Sequence, residues 1–142
     1  MIATFSFSAN LAVGSDFPAY SYKDQFDNTH TFNKEIKSVI IAFDRSGGNI
    51  VKDTLGKQEK GYLEAKRAVY IADISGMPSF VTKFFAMPKM KKYNFTMLLE
   101  FDNELSKVYP YQEDKITIIK LDSGKIKEII YVSEGADILK NL

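Results

Sequence analysis

The residues best placed by type and spacing to do chemistry are Asp44-Arg45-Ser46-Gly47-Gly48-Asn49. This polar, glycine-containing run lies between an apolar stretch, Ser38 to Phe43, and a stripe of helical spacing that begins at Ile50. Ligands of open α/β sheets sit at the carboxyl ends of strands. There, Arg45 and the backbone N–H groups of a helix start would surround an anion or a partner's carboxylate. The plainer reading is a turn whose glycines permit unusual backbone angles and whose Asn49 caps the helix. Ser46 as a nucleophile would need an activating base, and the sequence assigns none.

The remaining chemistry is narrower. The chain has no cysteine, which excludes disulfide exchange, thiol peroxidase activity and thiolate-ligated metal centres, because each requires a sulfur nucleophile or ligand. His30 is the single histidine, so a site built from several histidines is impossible, and in a hairpin it reads as structural. The carboxylate pairs Asp102 with Glu104 and Glu113 with Asp114 fit neither a calcium-loop spacing nor a catalytic signature, and read as solvated turns. Gly47-Gly48 has no third glycine at dinucleotide spacing, and no phosphate-binding lysine motif follows. No cofactor and no metal are expected.

The elements that must position these residues belong to one domain. A chain of 142 residues can build one substantial core. Its 19 basic and 18 acidic residues are interleaved, so nothing predicts a nucleic-acid footprint. The densest positive run, Lys89-Met90-Lys91-Lys92, reads as a solvated loop after a helix. No stretch approaches the ~18 apolar residues of a membrane span. Met1 to Ala9 is apolar with Ser6 and Ser8 spaced like a signal-peptidase site, so residues 1–14 read as an arm or the remnant of a signal peptide, ahead of a domain over 15–142. The remnant reading places the protein in the periplasm or otherwise outside the cytoplasm; a complete N-terminus would leave it cytoplasmic.

Within the domain, Phe17 to Phe26 and Thr29 to Phe32 read as a hairpin about Asp27-Asn28, with Tyr20 and Tyr22 on one side. Ser38 to Phe43 is a central strand covered on both faces. Ile50 to Lys66 has a helical stripe interrupted by Gly56 and Gly61, which predicts a short, bent or broken helix. Ala68 to Ile74 is a second buried strand. Pro78 suits the first turn of a helix whose Phe80, Val81, Phe84 and Phe85 face the core until Pro88 stops it. Tyr93 to Phe101 is a third strand, followed by a short irregular or helical piece to Tyr109-Pro110. Ile116 to Leu121 and Ile126 to Val132 form a hairpin about Asp122-Ser123-Gly124-Lys125. Ser133 then caps a last helix with Ile138, Leu139 and Leu142 on its apolar stripe.

A β-α-β unit followed by a hairpin and a closing helix resembles the thioredoxin-like superfamily, most clearly over Ser38 to Phe43 and Lys115 to Ile126. The resemblance implies a single α/β domain with a central mixed sheet flanked by helices and preceded by an N-terminal β-hairpin. It also implies a redox cysteine pair after Phe43 and a cis-proline before the penultimate hairpin. Here Asp44 to Asn49 and the neighbourhood of Asp114 and Lys115 stand in their places. The Arg45-Ser46 loop and the span from Tyr109 to Ile126 are further similar to the periplasmic YtfJ group, which also lacks the redox pair.

The expected function is therefore a redox-inactive binding or accessory protein of the cell envelope. Asp44, Arg45, Ser46, Gly47, Gly48, Asn49 and Lys115 would take a protein segment or a small ligand. The alternative is an enzyme of non-thiol chemistry, or a cofactor-binding protein, that has recruited the same loop or His30.

Overall fold

The computed structural model describes residues 11–142; residues 1–10, and with them most of the stretch 1–14 read as an arm or signal remnant, lie outside the described residues. Seven strands form one mixed sheet in the order β2-β1-β5-β4-β3-β6-β7. The expected N-terminal hairpin is β1 (Ser21–Asp24) paired antiparallel with β2 (Thr29–Thr31), and the turn places Asp27 at φ 68°. β1 continues the sheet by pairing antiparallel with β5 (Leu98–Glu100), which makes the hairpin an outer wing of the sheet.

The continuous apolar run forms β3 (Ser38–Ala42), buried at every residue because both sheet faces are covered. It pairs in parallel with β4 (Ala68–Asp73), which in turn pairs in parallel with β5. β5 is shorter than the Tyr93–Phe101 strand the sequence suggests. The stretch before it is held by a side chain: the buried Gln25 carboxamide donates to the carbonyls of Met90 and Phe95 and accepts from the N–H of Met97. β6 (Ile116–Asp122) lies antiparallel to β3 and returns as β7 (Lys125–Val132). Ser123 and Gly124 both have positive φ, 51° and 86°, as the two-residue hairpin turn requires. Ahead of β1, residues 14–17 run beside the start of β7, with Gly14 and Phe17 N–H groups bonded to the carbonyls of Ile126 and Gly124.

The helix expected over Ile50 to Lys66 is two helices. α1 (Arg45–Leu55) already begins within the glycine run and stops at Gly56, and α2 (Tyr62–Ala65) follows Gly61, which has φ 88°. α1, α2 and the C-terminal α6 (Gly135–Lys140) cover one face of the sheet around Ile40, Val51, Leu55, Tyr70, Ile118 and Ile138. Gly135 lets α6 approach α1, since a Cβ there would collide with Thr54 Oγ1. The other face is covered by the N-terminal segment and α5 (Leu105–Val108), around Phe17, Val39, Ile41, Leu105 and Tyr109. Glu134, not Ser133, occupies the N-cap position of α6; the Ser133 hydroxyl instead accepts from Lys115 Nζ at 2.8 Å.

The largest correction concerns residues 78–92. Pro78 precedes α3 (Ser79–Val81) as its N-cap residue, a π-helical turn follows over Thr82–Ala86, and α4 (Met87–Met90) continues through Pro88. Pro88 has no N–H, and its ring would crowd the carbonyl four residues back in a regular helix. The wide turn accommodates it, with the Met87 N–H reaching the Thr82 carbonyl. The inward face consequently falls on Thr82 and Met90, with Ala86 and Met87 packed beside them. Phe80, Phe84 and Phe85, assigned to the core by helical spacing, are 61%, 65% and 67% exposed.

Candidate functional site at the carboxyl end of β3

The chain leaves β3 at Ala42 and enters α1 within three residues, so Asp44 becomes the N-cap. Its carboxylate accepts the Gly47 N–H at 2.7 Å and its carbonyl accepts the Gly48 N–H at 3.0 Å. Asn49, expected to cap, instead lies exposed on the helix body. Gly47 is buried against the sheet: a Cβ there would lie 3.4 Å from Ile116 Cγ1 and 3.3 Å from Asp44 Oδ1. Its smallness lets α1 start close to β6 and still receive its cap. Gly48 has more room, with Tyr70 Oη 3.8 Å from an added Cβ.

Capping uses the carboxylate and turns the neighbours outward. Arg45 and Ser46 are exposed, and among the described residues Arg45 makes no ion pair. Beside them the ring of half-buried Phe43 packs edge-on against exposed Tyr111, with centroids 4.8 Å apart. The register that pairs Ile41 with Thr117 brings Lys115 across from Phe43, at the same end of the sheet as Arg45. Its ammonium is engaged by Ser133, so Lys115 borders the loop without contacting it. Thr117 Oγ1 donates to the Pro110 carbonyl at 2.9 Å, which ties the 109–111 segment to β6. No peptide among the described residues is cis, and Asp114 precedes Lys115 with φ 64°. The site thus combines a cationic side chain, a helix start and an aromatic pair. The aromatic pair escaped the sequence reading because Tyr111 falls in an irregular segment, where neither strand nor helix periodicity indicates which residue it meets.

His30 is elsewhere. Its Nε2 lies 2.7 Å from Asp24 Oδ2, and it borders a cleft of about 440 Å³ with Arg67, Ala68 and Thr96, at the amino end of β4. That cleft and the Asp44–Asn49 loop are at opposite ends of the parallel strands, so His30 cannot act as a base for Ser46. Among the described residues, no group of three or more carboxylates and histidines is placed to hold a metal ion, and no helix is long and apolar enough to cross a membrane.

Tyr20 and Tyr22 are half-buried and pack with the buried Tyr109 on the sheet face opposite α1. Tyr109 stacks on Phe17 at 5.6 Å and shares a 3.0 Å hydroxyl contact with Tyr22; Tyr20 stacks on Tyr22 at 5.2 Å. Burial pushes the Tyr20 phenol up to about 12 and raises Tyr109 further, the latter helped by its bond to Tyr22. These hydroxyls remain neutral structural groups at ordinary pH. Tyr111 alone of the four is exposed.

Solved structures share this arrangement of strands and helices over nearly the whole chain. Peroxidoxin BcpB of Mycobacterium tuberculosis superposes with a TM-score of 0.62 at 15% identity, covering 93% of this chain and 94% of that one. A thiol:disulfide interchange protein DsbE from Chlorobium tepidum gives 0.60 at 15% identity, over 93% and 96%. The thioredoxin domain of a thiol-disulfide oxidoreductase from Bacteroides vulgatus gives 0.56 at 18% identity, over 92% and 97%. The fold is thioredoxin-like. No protein-family model and no curated protein sequence matches the chain. This thioredoxin-like domain has no cysteine anywhere, so thiol redox chemistry is closed to it.

Proposed function

We propose that this thioredoxin-like domain is a redox-inactive binding module that holds an acidic protein segment or a small anion at the carboxyl end of β3. The observation that carries the reading is the capped start of α1. Asp44 satisfies the Gly47 N–H internally, and Arg45 is left exposed beside the Phe43–Tyr111 pair. An exposed guanidinium offers bidentate recognition of a carboxylate, and an adjacent half-wet aromatic surface suits the apolar part of the same segment. Lys115 and Ser46 would form the rim, and Gly47 and Gly48 keep the backbone low enough for a ligand to approach.

A place in the cell envelope, with residues 1–14 as an arm or signal remnant, is part of the proposal. It rests on the small-residue spacing of Met1 to Ala9 and on the resemblance to the YtfJ group. The test is crosslinking and affinity recovery from the native host with wild type and Arg45→Ala. The expected result is a specific acidic partner or anionic small molecule that is lost in the variant while the melting temperature is unchanged. The same catch with Arg45→Ala would remove the loop from the reading.

A further inference from the structure

The ridge formed by α3, the π-helical turn and α4 has one side packed on the core and one side turned outward. Its inner side is fixed: Thr82 and Met90 are buried, and Ala86 and Met87 pack on the core, so the segment cannot roll to hide its other side. That other side presents Phe80, Phe84 and Phe85, three large apolar side chains each more than three-fifths exposed. With about 100° per residue, a regular helix would place Phe85 far round from Phe80; the wider turn advances each residue by less and brings the three rings nearer one direction.

The charge carried by this stretch of chain is of one sign. From Ile74 to Leu99 the chain has no acidic residue and four lysines, Lys83, Lys89, Lys91 and Lys92, all exposed. In a protein of net charge +1, these four outweigh the charge of everything else. Lys83 Nζ sits 5.7 Å from the Phe84 ring centroid, so cation and aromatic face the same medium. The outward groups of residues 79–92 are phenyl rings and ammonium groups, and the segment itself carries no carboxylate. That combination matches a soft anionic layer with an apolar interior better than it matches a shaped protein pocket. Phenyl rings enter the headgroup boundary while lysines meet lipid phosphates.

We infer that residues 79–92 form a peripheral docking ridge for anionic phospholipid membranes. Contact is made by Phe80, Phe84 and Phe85 and strengthened by the four lysines; the ridge lies on the bilayer and does not span it.

Vesicle co-sedimentation tests this. Wild-type protein is mixed with vesicles of phosphatidylcholine alone and with vesicles containing about 30% phosphatidylglycerol. The expected result is sedimentation with the anionic vesicles only, weakened by added salt. Phe80→Ser/Phe84→Ser/Phe85→Ser should lower partitioning at least about tenfold. Lys89→Gln/Lys91→Gln/Lys92→Gln should lower it roughly fivefold for each charge removed. Circular dichroism confirms that each variant is folded; should the phenylalanine variant unfold, the lysine variant carries the test alone. Equal binding to both vesicle types, absence of binding to either, or undiminished binding by the folded variants would overturn the inference. Self-association lost in the phenylalanine variant, without vesicle binding, would assign the ridge to a protein interface and overturn it equally.

Discussion

Asp24 holds His30 at 2.7 Å with one carboxylate oxygen and the backbone N–H groups of Phe26 and Asn28, at 2.8 and 3.0 Å, with the other. One buried side chain thereby closes the β1–β2 turn and orients the only histidine. Burial by itself would raise this carboxyl. His30 and the two N–H groups more than reverse that effect, so it titrates below the usual aspartate value.

A pH dependence follows from the sign of that shift. A carboxyl with a depressed folded-state pKa adds stability that is present above its unfolded value and lost as the pH falls through the folded one. Asp24→Asn should therefore cost about 1–3 kcal/mol near pH 7, and wild type and variant should converge as the pH falls below about 4. Urea unfolding at several pH values reads this; a gap independent of pH would contradict the assignment.

Gln25→Ala removes three buried bonds together and leaves the carbonyls of Met90 and Phe95 and the N–H of Met97 without their side-chain partner. A loss of about 3 kcal/mol is expected in chemical denaturation. Hydrogen exchange should show the 90–97 stretch opening before the β3–β4 centre.

The paired glycines of α1 should respond oppositely. At Gly48 an added methyl meets only ordinary contact, so Gly48→Ala should stabilise by about 0.5–1 kcal/mol through helix propensity. At Gly47 a larger side chain has to displace Ile116 and the Asp44 cap, so Gly47→Leu should destabilise by about 2 kcal/mol or more. Thermal melts of the two variants distinguish the assignments.

Asp44→Ala should cost about 1 kcal/mol by exposing the Gly47 N–H, and it should fray the first turn of α1. Asp44→Ser should restore most of that loss, because a hydroxyl can accept the same bond. Failure of serine to rescue would mean that Asp44 acts through something other than the cap.

Much of this fold was legible from residue pattern. The apolar run of β3, the paired glycines that part α1 from α2 and the Ser123-Gly124 turn each follow from a local rule that the tertiary structure does not override. The Phe80 to Phe85 stripe misled because helical spacing tells which residues share a face and not which face is inward. Pro88 added a π turn that moved the buried positions to Thr82 and Met90, with Met87 packed beside them. Of the candidate site, the Asp44–Asn49 position was readable and Lys115 was reached through the family resemblance; that Lys115 borders the loop at one end of the sheet follows from β3–β6 register, which no local pattern encodes. The Asp24 and Gln25 networks were invisible for the same reason, since their partners are backbone groups brought together only by the folded chain.

The backbone pairing of residues 14–17 with Gly124 and Ile126 has a consequence for how copies of this protein meet. β7 is the outermost strand on its side, and an unguarded outer strand is a template for sheet-to-sheet aggregation. The segment ahead of β1 occupies the first part of that template, and the exposed charges of Lys127 and Glu128 stand along the next part. The opposite margin, β2, is only three residues long. The short β2 margin and the covered, charged beginning of β7 are thus poor seeds for fibre growth by strand addition.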